Sequence, residues 1–223
     1  MRVRSVAVYE AKIVFGLAAL VPALLLPLYA AFVWLVDRGR SDPTPIEQIA
    51  RDFELLLPLA AALGVAHLMA VEHEEGFAEL RTSYPEHPLR LPLIRTTGAL
   101  LLACGVLAFG TVCILLVHGA HDPRLVLLPA LGPLLALLGA ALLIGNLFRS
   151  YWTAAGAVLA WWLFEELSRG KYTRAFFLFD YRWPRPEIGY TANRWLLVGL
   201  GLLFLAGNAY CSARRKRVGR VHG

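Results

Sequence analysis

Residues 13–36 read IVFGLAALVPALLLPLYAAFVWLV, and no formal charge occurs between Lys12 and Asp37. A helix rising ~1.5 Å per residue crosses ~30 Å of hydrocarbon in ~20 residues, so this run is long enough to span a membrane. It is too long for the apolar core of a signal peptide, and no small-residue cleavage site followed by a soluble domain comes after it. Pro22 and Pro27 fall inside the run and are expected to kink it.

Five further apolar runs follow, at residues 55–71, 96–120, 125–148, 150–164 and 195–212. The fifth is the shortest: Glu165 and Glu166 stop it after ~22 Å of helix, less than a crossing. Backbone amides in lipid must be paired internally, and helices do that at these lengths. The expected fold class is all-α integral membrane, with six transmembrane helices in one domain over residues 1–223. Composition agrees. The chain is 58% hydrophobic and 17% charged, against ~45–50% and ~25% for an ordinary soluble chain. Disordered, collagenous and disulfide-rich classes are excluded. Cys104, Cys113 and Cys211 lie far apart in apolar stretches, as small buried hydrophobes do.

Six spans put both termini on one side. Arg2 and Arg4 precede the first span, Arg214, Arg215, Lys216, Arg217 and Arg220 follow the last, and Arg81, Arg90 and Arg95 lie between the second and third. The positive-inside rule assigns these to the cytoplasm. Segment 167–194 opposes that assignment, because Arg169, Lys171, Arg174, Arg182, Arg185 and Arg194 would then be external. The terminal cluster decides the orientation because it directly abuts a span. The expected location is the bacterial cytoplasmic membrane with both termini cytoplasmic.

Residues 72–95, EHEEGFAELRTSYPEHPLRLPLIR, continue the second span without a break. On a helix, Glu72, Glu75 and Glu79 form an acidic stripe and Phe77, Leu80 and Tyr84 a second stripe. Pro85 ends that helix, and Pro88 and Pro92 are expected to keep another from starting before the third span. Gly76 sits where the chain leaves the span axis. Interfacial helices usually carry Lys and Arg toward anionic lipid. An acidic one is repelled by the negative inner leaflet unless something holds it, which points to a protein partner.

The pattern Glu72-x-x-Glu75-Gly76-Phe77-x-Glu79-Leu80, followed by Pro85, resembles the cytoplasmic segment of ABC-2 type transporter permeases. Phe77 replaces the usual small hydroxyl residue, and Arg81 stands where leucine is common. The resemblance extends to the number of spans, to an N-terminal interfacial segment over residues 1–12, and to short external re-entrant helices before the sixth span. It implies a coupling helix, with Glu72, Glu75, Gly76, Phe77, Glu79, Leu80, Arg81 and Tyr84 docking on a separate ABC ATPase subunit present in two copies. It also implies a second permease, identical or paralogous, in contact with membrane lipid. The chain itself is expected to bind no cofactor and no nucleic acid, with ATP and Mg held by the ATPase. The external segment is expected to supply a gate, formed by Phe176, Phe177, Phe179, Tyr181 and Trp183, unless these rings form only an interfacial belt. Spans one, two and five are expected to face the partner permease with almost no polar group, which favours a lipophilic or amphipathic cargo such as a lipid, drug or modified peptide.

Enzymatic motifs are poorly matched. Gly170-Lys171 is followed by Tyr172, and Glu165 stands where a P-loop needs its first glycine, so no Walker A is present. Glu165-Glu166-x-x-Arg169 resembles the paired glutamates of intramembrane CAAX-type proteases but lacks their spacing and later histidines. The glutamates are instead expected to end the fifth span, neutralised by Arg169, Lys171 and Arg174. His118 and His121 share a helix face beside Asp122, a weak metal pattern. Two alternatives to an exporter subunit, which is not itself an enzyme, remain open: an intramembrane hydrolase built on Glu165 and Glu166, and a non-transporting immunity or scaffold protein.

Overall fold

The structure, a computed structural model of the chain, describes residues 20–39, 44–71, 90–119, 122–185 and 188–221. Among these the chain forms helices and no strand. The helices are α1 (Leu20–Arg38), α2 (Ile46–Val65), α3 (Arg90–His118), α4 (Arg124–Phe148), α5 (Tyr151–Ser168) and α6 (Tyr190–Val221). Stretches Leu20–Arg38, Pro92–Val117, Arg124–Phe148 and Tyr190–Arg214 are long and apolar enough to cross a membrane. The chain is therefore helical, with at least four helices suited to a bilayer. The N-terminal segment 1–12 and the expected coupling helix, with Glu72, Glu75, Gly76, Phe77, Glu79, Leu80, Arg81 and Tyr84, lie outside the described residues.

Three boundaries differ from expectation. Helix α2 starts at Ile46 rather than near residue 55 and takes in Glu47, Arg51, Asp52 and Glu54. Charge does not end a helix whose charges find partners inside the protein. For the same reason α5 runs through Glu165 and Glu166 to Ser168, 18 residues in all, which is ~27 Å of helix. Helix α3 starts at Arg90, with Pro92 in its first turn, where proline's missing N–H costs no helical bond.

Local chemistry explains the sharp corner between α4 and α5. Arg149 takes a left-handed conformation, φ 57°, and its N–H donates to the Gly145 carbonyl. Ser150 then caps α5, its hydroxyl accepting from the Thr153 N–H at 3.4 Å, as N-cap serines do.

The bundle has two interior helices. Phe53, Leu57, Ala60, Ala61, Ala62 and Val65 of α2 are fully buried, and α2 packs against α1, α3, α4 and α5. Helix α4 has a similar run of buried residues and packs chiefly against α2 and α6. The expectation that the second span faces a partner chain is thus corrected. Like α4, that helix is an interior one, and its apolar side chains already meet others of this chain.

Helices α4 and α6 run in the same direction along a seam of period seven. A Cβ added at Gly132 would meet Arg194 and Leu197, and one at Gly139 would lie 2.7 Å from the Gly201 carbonyl oxygen. One turn pair further on, Asn146 Nδ2 donates to Asn208 Oδ1 at 2.7 Å and to Ser212 Oγ at 2.8 Å. Seven-residue steps keep one face in register over several turns. Small residues there let the backbones approach closely, the usual device for helix association in lipid.

These contacts assign an end to each connection. Arg95 of α3 meets the Leu68 carbonyl in the turns that follow α2, while Trp162 of α5 meets Leu55 of α2. Residues 71, 90, 149 and 212 therefore gather at one end, and residues 169–185 lie at the other, called the cap end below.

Replacing Gly201 by Ala puts a Cβ 2.6 Å from the Leu135 carbonyl. Overpacking of this kind typically costs about 1–3 kcal/mol. Thermal unfolding of the purified chain in detergent should show that loss for Gly201→Ala. It should be absent for Gly199→Ala on the same helix, where a Cβ meets nothing within 4 Å.

Candidate functional site

Glu54 lies in the first half of α2, just before the apolar run 55–71, and has no exposed surface. A carboxylate out of water needs several donors, and three atoms supply them. The Tyr181 N–H donates to Oε1 at 3.1 Å, and the Arg182 N–H to Oε2 at 2.8 Å. Arg194, at the start of α6, completes the set with a charged contact from Nη2 to Oε1. The other guanidinium nitrogen, Nη1, donates to the carbonyls of Pro129 on α4 at 3.0 Å and Leu178 at 3.2 Å. One carboxyl and one guanidinium thus tie together α2, α4, α6 and the chain that covers the cap end.

A second ladder runs alongside. Tyr29 of α1 donates its hydroxyl to Asp52 Oδ2 at 2.8 Å. Arg182 Nη1 reaches Asp52 Oδ1 at 2.8 Å, and its Nε lies 3.4 Å from Glu166 of α5. Arg182 thereby bridges α2 and α5. Glu165 takes the Trp161 indole N–H at 3.0 Å and the Thr173 hydroxyl at 2.8 Å. The glutamate pair is thus held differently from expectation. Glu166 is neutralised by Arg182 and Glu165 is satisfied by neutral donors, while Arg169, Lys171 and Arg174 form no ion pair with either. The reason is geometric. Arg169 ends α5 in a left-handed conformation, φ 48°, and its guanidinium lies 4.4 Å from the centre of the Trp183 ring. Arg185 then donates to the Arg169 carbonyl at 2.7 Å.

The aromatic segment is irregular. In place of re-entrant helices, the described residues hold turns and a single three-residue 3-10 turn, Arg174–Phe176. Phe177 and Phe179 are fully buried. Their rings meet edge to face at 5.9 Å, and Phe179 meets Trp162 of α5 at 6.1 Å. They are core residues rather than part of a surface belt. Phe176 is exposed, while Tyr181 and Trp183 are half-buried, with Tyr181 against Tyr190 at 5.9 Å. Asn193 holds this plug in place, its amide donating to the Ala175 carbonyl at 3.0 Å and the Phe177 carbonyl at 2.9 Å. Gly170 makes room for it. Its φ is +69°, and a Cβ there would lie 2.4 Å from the Phe177 ring, so glycine is required twice over.

At the opposite end α2 loses its regular form. Residues 66–70 are turns, with bonds of the tighter i→i+3 type from Leu68 N–H to Val65 and from Ala70 N–H to His67. The guanidinium of Arg95, 1% exposed, donates to the Leu68 carbonyl at 2.6 Å. Broken helices inside a membrane bundle persist where such donors satisfy the freed carbonyls. The break stands directly before the acidic segment 72–84. His121 and the side chain of His118, the weak metal pattern, fall outside the described residues.

The clasp itself was missed at the sequence level. Its partners lie up to 140 residues apart, and nothing local pairs them. A usable signal was present nonetheless: Asp52 and Glu54 beside an apolar run require counter-charges, and Arg182 and Arg194 were available. No protein-family model matches the chain, and no curated protein shows significant similarity to it.

Removing one member of a buried pair leaves the other uncompensated, at a cost of about 3–5 kcal/mol. Glu54→Ala should lower thermal stability by that amount, with Arg194→Ala nearly as severe and the double variant far less than additive. A second outcome concerns Asp180, 4% exposed. Burial raises its carboxyl above the ordinary aspartate value, and Arg194 and the Arg185 N–H offset this only in part. A carboxyl whose pKa rises on folding favours the fold when protonated and opposes it once ionised. Asp180→Asn should therefore stabilise the chain at neutral and alkaline pH, with the advantage vanishing as the medium is acidified.

Proposed function

We propose that this chain is the transmembrane permease subunit of an ATP-driven ABC-2 type exporter, with six spans, both termini cytoplasmic, and segment 72–84 docked on a separate ATPase in the bacterial cytoplasmic membrane. Two ATPase copies and a second permease complete the transporter in this reading, and the nucleotide and its Mg belong to the ATPase.

The observation that carries the proposal is the position of α2. It is an interior helix of the bundle, clasped to the cap through Glu54 and Asp52, and its other end leads through the break at 66–70 into the acidic, Phe77-bearing segment. A push on that segment acts on a rod whose far end holds the external plug. Closure of an ATPase pair supplies free energy by binding nucleotide differently in two states, so the permease needs two states of its own. The broken turn at 66–70 provides a bending point, and the ion pairs at the cap provide contacts that can be exchanged. Aromatic and leucine side chains flanked by charge suit a docking groove, the former for affinity and the latter for orientation. The outward faces of α1 and α6 are apolar, with Leu24, Leu28 and Phe32 on one and Leu202 and Leu203 on the other exposed. Such faces suit a second permease and a lipophilic or amphipathic cargo.

Affinity purification of the full chain in mild detergent should recover an ABC ATPase, and Phe77→Asp or Glu75→Arg should abolish that recovery and the coupled ATP hydrolysis without lowering membrane expression. Normal binding and stimulation by both variants would contradict the docking assignment.

A further inference from the structure

The outer end of α5 carries an exposed step unlike the clasp beside it. Phe164, Leu167 and Tyr172 are 45%, 82% and 69% exposed. The rings of Phe164 and Tyr172 lie 5.7 Å apart and tilted by 31°, and Lys171 Nζ stands 5.8 Å from the Tyr172 ring centre. The left-handed Arg169 redirects the chain as α5 ends, so that Arg169, Lys171 and Arg174 follow an apolar helix face directly. All three cations are exposed. Among the described residues none has a carboxylate within ion-pair distance. Glu166 is bound to Arg182, Glu165 to Trp161 and Thr173, and Asp180 is buried.

We propose that this step binds the headgroup of an anionic phospholipid in the leaflet at the cap end. Arg169, Lys171 and Arg174 take the phosphate, and Phe164, Leu167 and Tyr172 lie along the glycerol and the first part of the acyl chains. Charge complementarity selects an anion, and guanidinium forks suit phosphate oxygens. The apolar half favours a lipid over a soluble anion or an acidic protein, since an exposed phenylalanine and leucine directly beside the cations pair with acyl chain as the cations pair with phosphate. Depth agrees as well. A helix of ~27 Å ends near the hydrocarbon boundary, where aromatic side chains concentrate and phosphates lie. The proposal does not rest on the permease reading or on which end faces the cytoplasm. It accounts for the unpaired cations of segment 167–194, which a simple charge count treats only as a conflict.

The test uses the full chain carrying Arg214→Gln and Arg215→Gln, which weakens the basic cluster at the opposite end. Retention of phosphatidylglycerol against phosphatidylcholine is then measured by native mass spectrometry. This background should still retain phosphatidylglycerol selectively. Adding Arg169→Gln, Lys171→Gln and Arg174→Gln should weaken that selectivity by about fivefold for each cation removed, with helical content by circular dichroism unchanged. Arg169→Lys with Arg174→Lys should keep most of it, and Phe164→Ala with Tyr172→Ala should weaken it. Equal selectivity with and without the three cations would overturn the proposal. So would displacement of the lipid by inorganic phosphate at matched concentration, which would mark a soluble-anion site.

Discussion

A carboxylate with no exposed surface organises this molecule. Glu54 cannot be solvated where α2 carries it, and moving an ion of that size out of water costs several kcal/mol even after relaxation. Its donors are two backbone N–H groups of the cap and one guanidinium at the start of α6. None of the three is local in sequence, so the carboxylate is satisfied only when cap, α2 and α6 are assembled together. Arg194 extends the constraint to α4 through the Pro129 carbonyl, and Arg182 extends it to α5 and, through Asp52 and Tyr29, to α1.

That requirement makes the cap end specific and leaves the opposite end built differently. Packing of small residues closes α4 on α6, and the polar contact there is neutral, between Asn146, Asn208 and Ser212. The regular part of α2 stops at Val65, with Arg95 supporting the turns that follow. One end of the rod is anchored by charge, while the other is irregular and leads on toward residues 72–84. An element fixed at one end and bendable at the other is suited to carrying displacement along its length, and the proposed transport function uses that asymmetry.

Much of the helical layout was legible in the sequence because bilayer thickness and backbone pairing leave few choices. The runs 13–36, 96–120, 125–148 and 195–212 overlap α1, α3, α4 and α6 closely. The errors fall where charge is answered within the protein. Helix α2 begins before Asp52 and Glu54, and α5 continues past Glu165 and Glu166, because partners more than a hundred residues away for α2, and on the cap for α5, remove the cost that a local reading assigns to them. Phe177 and Phe179 resemble interfacial aromatics by composition, yet Gly170 and Asn193 draw them into the core, a three-way contact with no sequence period. The glycine seam was invisible for a related reason: its period is seven, its residues sit on two helices, and a search for glycines four apart passes over it. Arg182 and Arg194 weighed against the assigned orientation only while they were counted as free charges, and their pairing removes them from that count.

Hydrogen exchange at the Tyr181 and Arg182 amides tests the central role of Glu54 most directly, since both N–H groups end on that carboxylate. In the full chain in detergent these two amides should exchange as slowly as the interior of α4. In Glu54→Leu they should exchange orders of magnitude faster while the amides of residues 139–148 stay protected. Fast exchange in the unaltered chain, or protection that survives loss of the carboxylate, would contradict the account.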